Sequence, residues 1–303
     1  MRILITGGTG LIGRSLAREL AAAHEVVLLT RDPERAGPLP AGVRAARWDG
    51  RTAAGWGSLL DTENAIVHLA GDSVAQGRWT AEKKRRIRDS RVLSGEAVLA
   101  AIRAAVVRPR VLLQSSAVGL YGDRGDAVIT EEASAGAGFL ADVCREWEAS
   151  TAEAESLGVR RVLARTGIVL AREGGALPVM SRPFRLGLGG PLGDGRQWFP
   201  WIHMEDEVGA LRFLLEREEA RGAFNLAAPH PVTNRELTRT LARVLRRPAF
   251  LPAPAFALRL ALGEFADSLL GGQRVIPARL LAAGYAFRRP DLESALRDLL
   301  HPA

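Results

Sequence analysis

The stretch "ILITGGTGLIG", which begins at Ile3, constrains this chain more than anything that follows it. An apolar run of strand-forming residues is followed at once by Gly7, Gly10 and Gly13 in a GxxGxxG spacing, and then by a helical periodicity that opens with Leu11 and Ile12. Glycines at these places permit a tight turn and let a pyrophosphate approach backbone N–H groups at the positive end of the helix. No lysine follows them, which excludes a triphosphate-binding P-loop. A ligand-free glycine turn is the alternative reading. The spacing, directly after a strand and directly before a helix, predicts a dinucleotide site.

Further apolar runs, "EVVLL", "VRAARW", "AIVHLA", "RVLLQSS" and "RRVLART", alternate with helical stretches up to about residue 166. That alternation implies an α/β fold with a doubly wound parallel sheet of the Rossmann type. After residue 172 the texture changes to "GGALPVMSRPFRLGLGGPLGDGRQWFPWIH", which is too long for an ordinary connection and reads as a lid or substrate loop. Helical segments "EDEVGALRFLLE", "TNRELTRTLARVL" and "DLESALRDLL" follow, with a short strand "AFNLA" between the first two. The expected division is a dinucleotide-binding domain over 1–172 and a smaller, mainly helical cap over 173–303 that partly returns to it.

Composition excludes several classes. A chain of 303 residues that is 47% hydrophobic buries a full core, yet no apolar run reaches the ~18 residues needed to cross a membrane. The first strand starts without a leader-like segment, so a cytoplasmic protein without a membrane partner is expected. One cysteine, Cys144, and five scattered histidines give neither a disulfide framework nor a metal-ligand spacing. The net charge of +7 comes from arginines spread along the chain, with Lys83 and Lys84 as the only lysines. "EKKRRIRDSR", residues 82–91, concentrates basic residues on one helix as either a solvated face or an anion-binding one. It lacks the interleaved aromatics of a nucleic-acid surface, and no nucleic-acid partner is expected.

The second strand ends in "LLTRDPER", where Thr30 offers a hydroxyl and Arg31 a guanidinium to a ribose 2′-phosphate. NADP(H) is therefore expected, with Asp32 keeping NAD(H) as the alternative. Trp48 and Asp49 end the third strand where an adenine would lie. Leu69, Ala70 and Gly71 end the fourth, a stretch of small residues that lets a cofactor pass.

In chain order, "TGGTGLIG", "HLAG", "LLQSSAVGLYGD", "RTGIVL" and "WIHMEDEVGA" resemble the motifs of extended short-chain dehydrogenases/reductases. "FNLAAPHPVTNRE", "GQRVIP" and "GYAF" resemble the C-terminal signatures of an atypical branch, the epimerase-family proteins of the NAD-dependent epimerase/dehydratase superfamily. The similarity covers essentially the whole chain. It implies further cofactor contacts from Ser90 and Arg91, at the end of the basic helix, from Ser115, and from Ile168 after the sixth strand. It also implies a monomer, or a homodimer paired through the helices at 82–105 and 138–157.

In typical members a serine after the fifth strand polarises the substrate oxygen, and a Tyr-x-x-x-Lys pair supplies the proton. Here Ser115 and Ser116 stand after the strand, but Leu140 occupies the tyrosine place and Cys144 the lysine place. Tyr121 and Tyr285 are the only tyrosines, so the pair exists nowhere in the chain. Two readings stand. In one, the protein is an oxidoreductase on an unidentified small carbonyl or hydroxyl substrate, with Ser116, Tyr121 or Cys144 as candidate proton-transfer groups and His203 or Asp206 as remoter ones. In the other, it binds NADP(H) without turnover, as a sensor or interaction protein. The long glycine-rich segment favours the enzyme, because such a segment beside a cofactor suits a substrate lid.

Overall fold

The computed structural model describes residues 1–301. Its first half runs β1 (Arg2–Thr6), α1 (Leu11–Leu20), β2 (Glu25–Thr30), β3 (Val43–Arg47), β4 (Asn64–His68), α2 (Ala81–Ala104), β5 (Val111–Ala117), β6 (Val128–Ile129), α3 (Phe139–Ala149) and β7 (Arg160–Thr166). It continues with β8 (Ile168–Leu170), α4 (Ala176–Arg185), β9 (Trp198–Phe199), β10 (Trp201–His203), α5 (Met204–Glu216), β11 (Gly222–Leu226), β12 (Val232–Thr233), α6 (Asn234–Leu245), α7 (Ala255–Leu262), α8 (Phe265–Leu270), β13 (Arg274–Val275), α9 (Ala278–Ala282) and α10 (Leu292–Leu300).

Seven strands form one parallel sheet in the order β11-β7-β5-β4-β1-β2-β3. β1, β4 and β5 are apolar along most of their length because both sheet faces are covered. On one face Ile3, Ile5, Leu16, Leu211 and Leu214 share a core, and on the other Leu4, Ile66, Val98 and Ile102 do. The chain winds outward from β1 to β3 in one direction and from β4 to β11 in the other. The crevice at the carboxyl ends of β1 and β4 is therefore the switch point where such sheets bind ligands.

Two expectations are corrected, one at α2 and one after residue 172. α2 continues to Ala104, so Arg91 lies in mid-helix instead of at its end. No α-helix separates β2, β3 and β4; Trp48 and Trp56, packed edge to face at 5.9 Å, cover that part of the sheet. The segment after residue 172 is not one long loop, since α4 buries Leu177, Ser181 and Phe184 against the core of α6 and α10. Pro178 and Pro183 disguise α4 in the sequence; Pro178 sits in the first turn, where an N–H has no helical partner, and Pro183 forgoes one helical bond just before the helix ends.

The C-terminal part returns to the sheet through β11, which pairs with β7. Asp206, fully buried in the first turn of α5, accepts the backbone N–H groups of Arg288 (2.7 Å) and Arg289 (2.9 Å) and so anchors the end of the chain. α8 docks on the first half through Trp79, which stands 5.5 Å from Phe265 and 5.0 Å from Phe139, and through a Lys84–Glu264 ion pair of 2.6 Å. Among the described residues no helix is long and apolar enough to cross a membrane.

Glu207, one residue on, is buried without a counter-charge. Its Oε1 accepts a 2.9 Å bond from the Thr166 hydroxyl, its Oε2 has no partner, and burial pushes its carboxyl up to about 8 from 4.5. A carboxyl raised on folding contributes stability that is complete below the unfolded value and is lost as pH rises through the folded one. Thermal melts of wild type and Glu207→Gln are expected to diverge in favour of the variant from pH about 5 to about 9, while a pH-independent difference would contradict a neutral buried acid.

Candidate functional site

At the switch point the backbone is held by close approaches that only glycine allows. Gly7 has φ +66°, and a Cβ there would stand 2.8 Å from the carbonyl of Leu69; one on Gly13 would stand 2.6 Å from the Gly7 oxygen. Gly10 donates its N–H to the Gly7 oxygen at 2.9 Å and precedes α1 with no side-chain cap. The first N–H groups of α1, from Leu11, Ile12 and Gly13, have no capping side chain, which is the arrangement a phosphate fills.

Beneath the turn runs a buried polar chain. The Thr6 hydroxyl accepts the N–H groups of Leu69 (3.1 Å) and Ala70 (3.2 Å) and lies 2.7 Å from His68 Nδ1. Burial pushes the His68 pKa down to about 3, so the ring is neutral. Thr6, whose two lone pairs take the Leu69 and Ala70 N–H groups, donates its hydroxyl proton to His68 Nδ1, and Trp147 Nε1 (3.5 Å) and the Ser94 hydroxyl (3.4 Å) lie at Nε2. β1, β4 and α3 are thereby tied together directly under the crevice.

At the adenosine end, Arg31 is exposed and has no protein partner among the described residues, whereas Asp32 pairs with Arg35 at 3.2 Å and donates its N–H to the Thr30 hydroxyl. The Asp49 carboxylate is spent on its own turn. It accepts from Arg51 N, Thr52 N and the Thr52 hydroxyl, each at 2.8 Å, and the Arg51 bond foremost holds it below the usual range. Trp48 is buried and donates to the Thr52 carbonyl, so both residues shape the end of β3. Arg14, which sequence reasoning passed over, bridges the glycine turn to the loop after β2 through the carbonyls of Thr9 (2.9 Å) and Ala36 (2.7 Å). Its only sequence signal is one more exposed arginine.

The basic run resolves at the other end of the crevice. Lys83 and Arg86 pair with Asp72, Lys84 with Glu264, and Arg88 with Glu146 and Asp89. Among its cations only exposed Arg85 and half-buried Arg91 lack a carboxylate. The Arg91 guanidinium donates to the Ile87 carbonyl at 2.9 Å and lies 5.1 Å from the Trp147 ring centroid. It comes so close to Gly71 that a Cβ there would stand 3.1 Å from it. Burial pulls its pKa down, and attraction to Cys144 and Asp72 opposes this. A cation thus stands beside Cys144, the lysine place, but it comes from α2 instead of α3. The neighbouring Ser90 hydroxyl accepts the Asp72 N–H at 2.9 Å and fixes the strand-to-helix loop.

The three candidate proton-transfer groups are all engaged or enclosed. Ser116 donates to Glu148 at 2.6 Å, and Glu148 holds Arg165 through bonds of 2.9 and 3.0 Å. Tyr121 is fully buried, donates to Asn225 Oδ1 at 2.7 Å and receives Arg165 Nη1 at 3.0 Å; burial pushes its pKa up. Breaking a buried pair such as Glu148–Arg165 costs roughly 3–5 kcal/mol, against about 1 kcal/mol for a hydroxyl bond, so the ion pair dictates where Ser116 and Tyr121 point. Cys144 packs with Val118, Tyr121 and Val275, and burial pushes its thiol up to about 11. Side chains alternate along β5, so Ser115 faces away from Ser116; it is half-buried and donates no bond to protein. Ile168 opens β8 beside Trp201, and His203 caps α5 by accepting the Glu205 N–H at 3.1 Å. Concavities of about 290 and 370 Å³ lined by Arg110, Arg160, Arg161 and Arg221 lie at the opposite, amino-terminal end of the sheet, away from all of these groups.

A glycine turn at the switch point of a parallel sheet defines a dinucleotide-binding α/β protein, here one without the tyrosine–lysine pair. Residues 3–227 match the model of the NAD dependent epimerase/dehydratase family, and residues 253–299 match a domain of unknown function, DUF1731. The chain belongs to the NAD dependent epimerase/dehydratase family. It is 41% identical over 295 residues to an epimerase family protein of Mycobacterium leprae, covering 97% of this chain and 94% of that one. It is 38% identical over 306 residues to epimerase family protein SDR39U1 of Bos taurus, covering 99% and 100%. The crystal structure of human SDR39U1 (isoform 2) with NADPH superimposes with a TM-score of 0.89 at 36% identity over 100% of both chains. A Thermus thermophilus UDP-glucose 4-epimerase, with a TM-score of 0.76 and 20% identity, shares the fold.

Gly10 is exposed and has φ −75°, which any residue adopts. A Cβ there would stand 3.1 Å from the Gly7 oxygen, so Gly10→Val is expected to stay folded with a lowered melting temperature and to lose dinucleotide binding, because its side chain would fill the phosphate space; unchanged affinity would remove the assignment. Cys144→Ala is expected to cost about 1 kcal/mol in a denaturant titration and to leave NADPH affinity intact, whereas loss of that affinity would show the thiol to be part of the site.

Proposed function

We propose that the chain binds NADP(H) along the crevice and is an oxidoreductase acting on a small carbonyl or hydroxyl compound. Arg91 carries this reading: a half-buried guanidinium without a carboxylate, facing the loop after β4, is held ready for a negatively charged atom that the protein itself does not supply. The relative solved with NADPH supports the choice of cofactor. When bound, a nicotinamide supplies or accepts a hydride.

The chain's own residues supply the rest. The N–H groups of Leu11, Ile12 and Gly13 hold the diphosphate, Thr30 and Arg31 hold the 2′-phosphate, and Leu69, Ala70, Gly71 and Ile168 leave a channel between them. Arg91 stabilises negative charge that develops on the substrate oxygen, and in a site shielded from water such a fixed charge outweighs the same charge in solvent. Ser115, whose hydroxyl the protein leaves free, passes the proton. Ser116, Tyr121, Glu148 and Arg165 hold the wall in place, and Cys144 remains a protonated thiol. The commitment of Ser116, Tyr121 and Cys144 favours a second reading, an NADP(H)-binding protein without turnover; oxidation of bound NADPH by any of a panel of carbonyl compounds separates the two.

A hydrogen bond to a charged group contributes roughly 1.5–3 kcal/mol, and the exposure of Arg31 favours the lower end, about a tenfold change in affinity. Arg31→Ala is therefore expected to weaken NADPH about tenfold, to leave NADH nearly unchanged and to flatten the salt dependence of NADPH binding in fluorescence titrations. Equal losses for both cofactors would make Arg31 a loop residue, and a wild-type preference for NADH would assign the ribose to Asp32.

A further inference from the structure

A further cation without an ion-pair partner among the described residues stands in the cap. Among the described residues, Arg274 on β13 has a buried Nε with no hydrogen-bond partner and no carboxylate within ion-pair distance of its guanidinium. Its terminal nitrogens reach solvent and also find no acceptor in the protein. Arg289, the other arginine with an orphaned Nε, differs in pairing with Glu205 and Asp298. The Arg274 guanidinium lies over the Trp198 ring, 4.6 Å from its centroid.

The surroundings hold this arrangement rigid. Trp198 is fixed by its Nε1–H, donated to Asp126 at 2.9 Å, and by β9, which pairs with β12. A Cβ on Gly272 would stand 2.3 Å from the Trp198 oxygen, so the backbone before Arg274 lies directly on the strand that carries the ring. Gln273 donates to the Gly122 carbonyl at 2.9 Å, and β13 pairs with β6. Val275, next in the chain, packs in the same cluster as Cys144 and Tyr121. Arg274 therefore stands where the cap, the 192–198 segment and the wall beside Cys144 meet.

We propose that Arg274 receives a carboxylate of the substrate, so that the compound acted on is a carbonyl or hydroxy acid; this deepens the oxidoreductase reading and rests on it. A buried N–H without an acceptor costs free energy, and a guanidinium meets a planar carboxylate through two parallel bonds. One unpaired cation at this place matches one negative charge. Asp126, bonded to the Trp198 that underlies the guanidinium, and Asp123, against Gly271, oppose a dianion. The charge selects the acid, and the rigid stack sets its orientation.

Calorimetric titration of the NADP⁺-saturated protein with benzoate, benzamide and inorganic phosphate tests this. Benzoate is expected to bind saturably and at least tenfold more tightly than benzamide or phosphate. Arg274→Gln is expected to abolish that preference and Arg274→Lys to keep part of it, both with unchanged melting temperature and NADP⁺ affinity. Absence of saturable benzoate binding, tighter binding of phosphate, or an unchanged preference in Arg274→Gln would overturn the proposal. Should Arg274→Gln fail to fold, the wild-type comparison and Arg274→Lys decide. Failure of the wild type to bind NADP⁺ would instead remove the functional reading beneath it, whatever benzoate does.

Discussion

The approach of Gly7 to the end of β4 is the constraint on which the rest depends. A side chain there would stand 2.8 Å from the Leu69 carbonyl, so the turn after β1 and the loop after β4 share one surface. Thr6 and neutral His68 stitch that surface from below with bonds of 2.7 to 3.2 Å, and Trp147 extends the stitching to α3. The helix N-terminus, the channel past Leu69–Gly71 and the α3 wall are consequently positioned by buried contacts and not by mobile loops. This pre-organisation lets a site made mostly of backbone N–H groups be selective.

Charge is distributed by the same logic. Lys83, Lys84, Arg86 and Arg88 of the basic run on α2 pair with Asp72, Glu264, Glu146 and Asp89, which fastens the helix to the loop before it, to the cap and to α3. Half-buried Arg91, without a carboxylate partner among the described residues, lies beside Trp147 of α3. Glu148, on α3, is bound to Arg165. The cation beside α3 is therefore supplied by α2.

Most of the main sheet was legible in the sequence, because parallel strands covered on both faces read as continuous apolar runs and because the glycine spacing fixes where the crevice begins. Three things were not legible. α4 hides behind two prolines and a glycine-rich flank, and its helical character comes from burying Leu177 and Phe184 against α6. Asp49 looks like a ligand-facing acid in sequence, while its three short bonds to its own turn exist only in three dimensions. Ser116 and Tyr121 carry reactive hydroxyls at suggestive positions, but no local pattern connects them to the partners that claim them, Glu148 on α3 for Ser116 and Asn225 on β11 with Arg165 on β7 for Tyr121. Arg274 is the reverse case: nothing in "GQRVIP" marks it as unpartnered until Trp198 is seen beneath it.

Hydrogen–deuterium exchange of the protein with and without saturating NADPH tests the central claim most directly, because the site is defined chiefly by backbone N–H groups. The structure predicts slowed exchange in three segments: the turn and first helical turn at Gly7–Gly13, the end of β2 at Thr30–Arg31, and Leu69–Gly71. It predicts no change around Arg110, Arg160 and Arg221 at the opposite end of the sheet. Unchanged exchange across Gly7–Gly13, or protection confined to the arginine-lined concavities, would contradict it.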